Sequence, residues 1–165
     1  MARKILLESR AEPSWFTLAG ISCHLKDYRL SFLLNQKLPA SFRKMDDFPG
    51  NYGLYYYADE ESRNSYYLIS NRNEEKVLFQ ELKQTDFVLL VEGPFKKIQL
   101  NRLVSSIKAI PNVLTAFEIK TESLKNLSVF LADLELHFMN IKKGKKKTDL
   151  IQWLLTTRRY LCLKN

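Results

Sequence analysis

The chain is poor in the residues that mark disulfide-rich, fibrous or disordered proteins. Its 165 residues include two cysteines, five glycines and five prolines. Cys23 and Cys162 make no disulfide framework, which excludes a small secreted scaffold held together by disulfides. The low glycine and proline content, with 45% hydrophobic residues, indicates a chain that folds around a hydrophobic core of its own.

Long apolar runs are missing as well. The N-terminus starts with basic residues, but its apolar run ends at Leu7, which is too short for a signal peptide. No stretch approaches the roughly 20 apolar residues of a membrane-spanning helix. The sequence therefore predicts a cytoplasmic protein without a membrane span.

Motifs for catalysis, metal binding and nucleotide binding are also absent. The histidines are His24 and His137, and no paired His or Cys spacing matches a zinc site. His24 follows Cys23 directly, and adjacent strand residues point to opposite faces, so they form no nucleophile–base pair. There is no glycine-rich phosphate loop and no GxSxG turn. These absences predict no catalytic residue, no metal and no cofactor, and favour a protein that is not an enzyme.

What the chain does have is an uneven distribution of charge. Residues 1–140 carry 18 basic and 17 acidic residues, whereas residues 141–165 carry eight basic residues and one acid, Asp149. This asymmetry indicates an anionic partner. We predict one α+β domain over 1–140, and a basic linker plus an amphipathic C-terminal helix over 141–165. The predicted anion- or nucleic-acid-binding residues are Lys142, Lys143, Lys145, Lys146, Lys147, Arg158 and Arg159.

Hydrophobic periodicity and turn residues predict the secondary structure. The run from Asp86 to Glu92 is the clearest strand, and its unbroken apolar centre implies burial on both faces. The predicted strands are 16–23, 53–58, 65–70, 76–79, 86–92 and 113–119; the predicted helices are 26–37, 96–109, 123–138 and one starting at 148; 38–52 is irregular and 142–147 is a solvated linker.

The order of these elements predicts an α+β fold. Two strand–helix–strand units flank a hairpin, and the hairpin needs antiparallel neighbours, which disfavours a doubly wound parallel sheet. We therefore expect two layers, with a mostly antiparallel sheet and helices on one face. The specific expectation is a ferredoxin-like, split βαβ arrangement.

Three segments resemble a known family of small bacterial proteins. They are LAGISCHLKDYRL at 18–30, SYYLISN at 65–71 and FQELKQTDF at 79–87. Over about residues 1–120 the chain resembles the IPExxxVDY family, for which no activity is established. Glu81 and Asp86 match the motif that names the family, while Phe79, Gln80, Thr85 and Phe87 depart from it. The resemblance implies a shared fold and supplies no activity.

Glu81 and Asp86 are also the candidate carboxylate pair. General acid–base chemistry needs two carboxyl groups that face one substrate. A continuous strand would place these two on opposite faces, and a bend would bring them together. The alternative is that each accepts hydrogen bonds from backbone N–H groups in the turn.

Aromatic residues in the predicted hairpin also allow two interpretations. Tyr55 and Tyr57 share one face of their strand, and Tyr56 lies on the other. Aromatic rings on an open sheet face can stack on unpaired bases. Cross-strand aromatic pairs also stabilise ordinary hairpins, and we favour that interpretation.

The basic C-terminal segment gives the functional prediction. Clustered lysines followed by an amphipathic helix predict a non-enzymatic binding or adaptor protein that engages an anionic macromolecule, either RNA or an acidic protein. One alternative is a small enzyme that uses Glu81 and Asp86 near the 38–52 loop. Another is a structural homodimer formed by the C-terminal helix.

Overall fold

Apolar residues on both faces of one strand set the architecture. In Phe87–Glu92, Val88 and Leu90 face one side while Leu89 and Val91 face the other, and all four are buried. A strand of this kind needs cover on both faces. The computed structural model describes the backbone of residues 16–161 and the side chains of residues 16–144, and it shows helices packed on both faces of the sheet that contains this strand.

The sheet has six strands, and every neighbouring pair is antiparallel, in the order β2-β3-β4-β5-β1-β6. The predicted α+β class and antiparallel sheet are confirmed. The strands are β1 Phe16–Cys23, β2 Arg43–Lys44, β3 Leu54–Asp59, β4 Asn64–Ser70, β5 Phe87–Glu92 and β6 Val113–Ile119; the helices are α1 Asp27–Lys37, α2 Lys97–Lys108 and α3 Leu127–Leu161.

One split βαβ unit is present. Strands β5 and β6 both pair antiparallel with β1, so they run parallel to each other on either side of it, and α2 connects them. The ferredoxin-like arrangement is not confirmed. Helix α1 leads from β1 to the edge strand β2, with three strands lying between them in the sheet.

The helices cover both faces of the sheet, so the predicted two layers are corrected to three. Leu34 of α1 and Ile107 of α2 belong to the core on one face. Phe130 and Leu134 of α3 belong to the core on the other face, with Leu90 of β5. The physical reason is the second apolar face of the central strands, which one layer of helices leaves exposed to water.

Helix α3 also corrects the predicted linker. Its backbone is helical without interruption from Leu127 to Leu161, through the segment 142–147. Lysine has a high helix propensity, and the single Gly144 costs the helix only about 1 kcal/mol. Continuing a helix is also easier than nucleating a new one at Thr148.

The predicted strand at 76–79 is replaced by a loop built around Asn71. This side chain is fully buried; its amide group donates to the carbonyl oxygens of Leu82 (2.8 Å) and Thr85 (2.9 Å), and its oxygen accepts from the N–H of Phe79 (2.9 Å). Only Val77 makes a bridge, with Arg72. The asparagine supplies hydrogen bonds that a strand ladder would otherwise provide.

The long segment 38–52 wraps around an edge of the sheet. It contributes β2, and it inserts Phe42 into the core beneath α1 and α2 and Phe48 into the core beneath α3. The side chain of Asn35 holds the first half of this segment in place. Its oxygen accepts a hydrogen bond from the N–H of Phe42 (2.7 Å), and its amide group donates one to the carbonyl oxygen of Phe42 (3.1 Å). The segment is therefore anchored to both layers of helices.

Asn71→Ala tests the buried hydrogen bonds. The substitution leaves three backbone groups without their partner, and we expect the free energy of unfolding to fall by about 3 kcal/mol. Urea denaturation measures it. Asn101→Ala, at an exposed position on α2, is the control and should change the free energy by less than about 0.5 kcal/mol. Equal effects of the two substitutions would contradict the role of Asn71.

Candidate functional site

Helix α3 arranges the predicted basic residues at helical spacing. Lys142 and Lys143 are exposed. Lys146 and Lys147 follow them by four residues, so each pair lies one turn apart, about 6 Å along the axis. The backbone of Lys145–Lys147, Arg158 and Arg159 is helical, but their side chains lie outside the described part of the structure. Like charges at this spacing destabilise a helix until a counter-charge binds.

The first half of α3 is fixed firmly to the sheet. The ring of Phe130 lies 5.0 Å from that of Phe79 and 5.3 Å from that of Phe48. One turn before the lysines, the Nε2 atom of His137 lies 3.0 Å from the carbonyl oxygen of Asp46. The helix that carries the basic segment is therefore held in one orientation relative to the body.

A groove of about 1110 Å³ lies beside this helix, between α3 and the strands β3, β4 and β5; we call it the α3 groove. Its aromatic wall consists of Tyr56, Tyr67 and Phe138, whose ring centres lie 5.1–5.2 Å apart. Met139 and Lys142 line its α3 side. The first lysine of the basic segment therefore belongs to the groove.

The groove also contains a phenol–carboxylate pair. The hydroxyl of Tyr67 donates to Oε2 of Glu92 at 2.7 Å. Burial, together with this hydrogen bond, raises the pKa of the Tyr67 phenol well above its usual value. The phenol is therefore a hydrogen-bond donor at neutral pH and a poor proton acceptor. Charges of both signs line the groove, since Glu60 and Glu135 accompany Arg43.

On the opposite face, the hairpin tyrosines pack against one another. Tyr57 stacks on Tyr66 with 5.6 Å between ring centres, and Phe42 and Phe95 contact the pair edge-on or tilted. Tyr56 lies on the α3 face, as the alternation in the sequence predicts. On the Tyr57 and Tyr66 face these contacts support packing as the role of the aromatic hairpin, while on the other face Tyr56 and Tyr67 line the α3 groove.

Glu81 and Asp86 bind separate backbone groups. Oδ2 of Asp86 accepts from the N–H of Cys23 in β1 at 2.9 Å, and its Oδ1 lies 3.6 Å from Nε of Arg72. Oε1 of Glu81 accepts from the N–H of Lys125 at 3.4 Å. Both carboxylates therefore accept hydrogen bonds from backbone N–H groups, as the sequence analysis allowed. These N–H groups belong to distant parts of the chain and not to the turn between Glu81 and Asp86. Neither carboxylate lines the α3 groove.

The neighbouring motif positions are structural as well. Phe79 is buried in the core beneath α3, and Phe87 is buried in the core beneath α1 and α2. The motif segment thus crosses from one face of the sheet to the other and contributes a ring to each core. Asn71 holds this segment through its hydrogen bonds to Phe79, Leu82 and Thr85.

Cys23 and His24 are the remaining candidate groups. Cys23 is buried, and burial raises the pKa of its thiol, so the thiolate form is disfavoured. His24 is exposed. Among the side chains of residues 16–144, no group of three or more His, Cys, Asp or Glu residues is placed to hold a metal ion. Among the helices that the structure describes, none is long and apolar enough to cross a membrane.

Comparison with known proteins finds no matching family model, no matching curated protein and no matching solved structure. The resemblance to the IPExxxVDY family stays a prediction.

The sequence analysis missed the α3 groove and the pairing of Tyr67 with Glu92. Alternation shows which residues of one strand share a face, but it does not show which residues of two strands meet. The pairing, however, depends on the register of β4 against β5, which sets Ser65 opposite Glu92 and Tyr67 opposite Leu90. That register arises from contacts between distant parts of the chain and has no local signal.

Asp86→Ala and Glu81→Ala separate the structural contributions of the two carboxylates. Asp86 satisfies a half-buried N–H group, so its loss should lower the free energy of unfolding by about 1–2 kcal/mol. Glu81 is exposed, and its loss should cost less than about 0.5 kcal/mol. Chemical denaturation of the two variants and the wild type gives the comparison, and a larger cost for Glu81 would refute this assignment.

Tyr67→Phe tests the phenol–carboxylate pair through pH. Because the phenol has a raised pKa in the folded state, its stabilising effect is complete below pH ~10, the unfolded value, and is lost as pH rises towards the folded pKa. The unfolding free energy of the variant should therefore fall less steeply above pH ~10 than that of the wild type. Tyr28→Phe, at an exposed position on α1, should keep the wild-type slope.

Proposed function

We propose that the protein is a non-enzymatic binding protein whose helix α3 presents a basic surface to structured RNA. The observation that carries the proposal is the continuity of α3 from Leu127 to Leu161. A linker would present the lysines of 142–147 as a mobile cluster. A helix fixed to the body presents them at regular spacing in one orientation.

This arrangement favours binding to a row of phosphates. Lysines contribute affinity through phosphate contacts and counterion release, without any base-reading motif. Fixing them on a helix before binding lowers the entropy lost on association. Phosphates also relieve the repulsion between Lys142 and Lys146 and between Lys143 and Lys147.

The charge distribution supports the same function. Residues 1–140 carry a net charge of +1 and residues 141–165 a net charge of +7. The attraction of a polyanion is therefore directed at the C-terminal half of α3, and the body adds little nonspecific attraction. We assign this function to the cytoplasm, where a free, buried thiol such as that of Cys23 is usual.

An acidic protein is the second candidate partner. The α3 groove favours it, because Met139 and Phe138 offer apolar contact area next to Lys142. Interfaces between proteins combine an apolar centre with charged surroundings, whereas contacts with RNA phosphates depend mainly on charge. The dependence of affinity on salt distinguishes the two partners.

RNA binding across a salt series tests the proposal. Lys142, Lys143, Lys145, Lys146 and Lys147 are replaced together by glutamine, which keeps helix propensity. The control replaces five exposed lysines of the body, namely Lys26, Lys83, Lys108, Lys120 and Lys125. With an RNA hairpin as the probe, we expect the helix variant to bind at least ~10-fold more weakly, with a log–log salt slope smaller by about 4.

The control should bind as the wild type does. Equal losses of RNA affinity in the two variants would show that binding responds only to net charge, and would overturn the proposal. Absence of RNA binding by the wild type would also overturn it. If the wild type instead binds polyglutamate with a shallow salt slope, an acidic protein replaces RNA as the partner.

A further inference from the structure

The α3 groove forms because the side chains on the sheet become smaller from one row to the next. In one row, Tyr56 of β3 lies opposite Tyr67 of β4, and both rings contact Phe138 of α3. In the next row on the same face, Ala58 lies opposite Ser65. These two side chains are too small to fill the space beside α3, which leaves the volume of about 1110 Å³. A volume of this size accommodates a small organic molecule.

The row of small residues ends at a carboxylate. The register sets Ser65 opposite Glu92 of β5, and Glu92 opposite Phe16 of β1. All three residues line the groove. Oε2 of Glu92 accepts the hydrogen bond from the Tyr67 hydroxyl at 2.7 Å. Among the residues that the structure describes, no group donates a hydrogen bond to the other oxygen, Oε1. Glu92 therefore offers a half-buried carboxylate oxygen to a ligand in the groove.

Two hydroxyl groups lie on the same part of the sheet. The hydroxyl of Tyr56 and Oγ of Ser65 are 3.4 Å apart, which is long for a hydrogen bond between hydroxyl groups. Both oxygens therefore retain the capacity to accept a further hydrogen bond. Together with Oε1 of Glu92 they make three acceptors. A primary ammonium matches them, because it has three N–H donors and a positive charge.

The charges around the groove also favour a cation. Its carboxylates are those of Glu60, Glu92 and Glu135. Its basic side chains are those of Arg43 and Lys142, and neither forms an ion pair with a carboxylate of the described residues. Strands β3 and β4 separate Arg43 on β2 from Glu92 on β5, which is ~14 Å at the usual strand spacing. An anionic group beside Glu92 would be repelled by it.

We propose that the α3 groove binds a small organic cation that consists of a primary ammonium and an apolar body. The ammonium binds Oε1 of Glu92 and the hydroxyls of Ser65 and Tyr56, and the body packs against the apolar lining, where aromatic rings also attract a cation. That lining includes Phe16, Phe138 and Met139. The site goes beyond the proposed function and does not depend on it, because its acceptors are not among the predicted RNA-binding residues.

NMR titration of the isotope-labelled full chain with three matched ligands tests the site. Phenylethylamine carries an ammonium on an apolar body, phenylethanol replaces the ammonium by a neutral hydroxyl, and phenylpropionate replaces it by an anion. We expect the amine to bind with a dissociation constant of about 1 mM or lower. The alcohol should bind at least ~10-fold more weakly, because it lacks the charged hydrogen bonds, and the anion more weakly still. The amide shifts should concentrate at Ala58, Ser65 and Glu92.

Glu92→Gln and Ala58→Leu separate the contribution of charge from that of space. Glu92→Gln keeps the size of the side chain and an acceptor for Tyr67. Amine affinity should therefore fall at least ~10-fold, whereas alcohol affinity should stay within ~2-fold of the wild type. Ala58 is exposed, so a leucine there projects into the groove and not into the core. Both ligands should then bind at least ~10-fold more weakly.

Glu135→Gln is the matched control, because it removes a charge from an exposed part of the same lining. It should weaken amine binding by less than ~3-fold, since an exposed charge is screened. Equal losses of amine affinity in Glu92→Gln and Glu135→Gln would overturn the placement of the ammonium. Circular dichroism verifies that each variant is folded.

The ligand series on the wild type tests the proposal without any substitution. Equal affinities for the amine and the alcohol would overturn it, as would tighter binding of the anion. Absence of amine binding up to roughly 10 mM would do the same. If the amine binds as expected but the wild type does not bind RNA, the proposed function fails and the groove site stands.

Discussion

One buried amide determines how the two sides of the sheet are connected. Asn71 at the end of β4 holds the loop that leads to β5 through hydrogen bonds to Phe79, Leu82 and Thr85. That loop places Phe79 against Phe130, and this contact, together with those of Phe48 and His137, fixes the first half of α3. Asn71 therefore contributes to the orientation of a basic segment that lies more than 70 residues further along the chain.

Five of the six strands could be predicted because their signals are local, whereas β2 and the absence of a strand at 76–79 could not. Alternation of apolar residues defined β1 and β6 with their observed bounds, and the polar turn defined the hairpin. The number of layers could not be predicted, since α3 carries a periodic apolar face that fits either side of a sheet. The run of lysines indicated a linker because it lacks apolar residues, yet a helix that is already nucleated and anchored extends through residues of good propensity.

The basic residues themselves could be identified from the sequence, because clustering is visible in composition. Their arrangement on one helix could not be identified in this way. The proximity of Lys142 to Tyr67 and Glu92 in the α3 groove could not be predicted either, because it depends on the register of distant strands. The two motif carboxylates illustrate the opposite case. Two nearby carboxylates suggest acid–base chemistry in the sequence, whereas in the structure Asp86 accepts a hydrogen bond from the N–H of Cys23 in β1 and Glu81 contacts a different part of the chain.

The length of α3 has a geometric consequence. Its 35 residues extend about 52 Å at 1.5 Å per residue, and each residue turns the helix by about 100°. Inserting or deleting one residue after Phe138 would leave the anchor and the composition almost unchanged, yet would swing everything beyond it to a different side of the body. The number of residues in α3 therefore sets the direction in which its far end points.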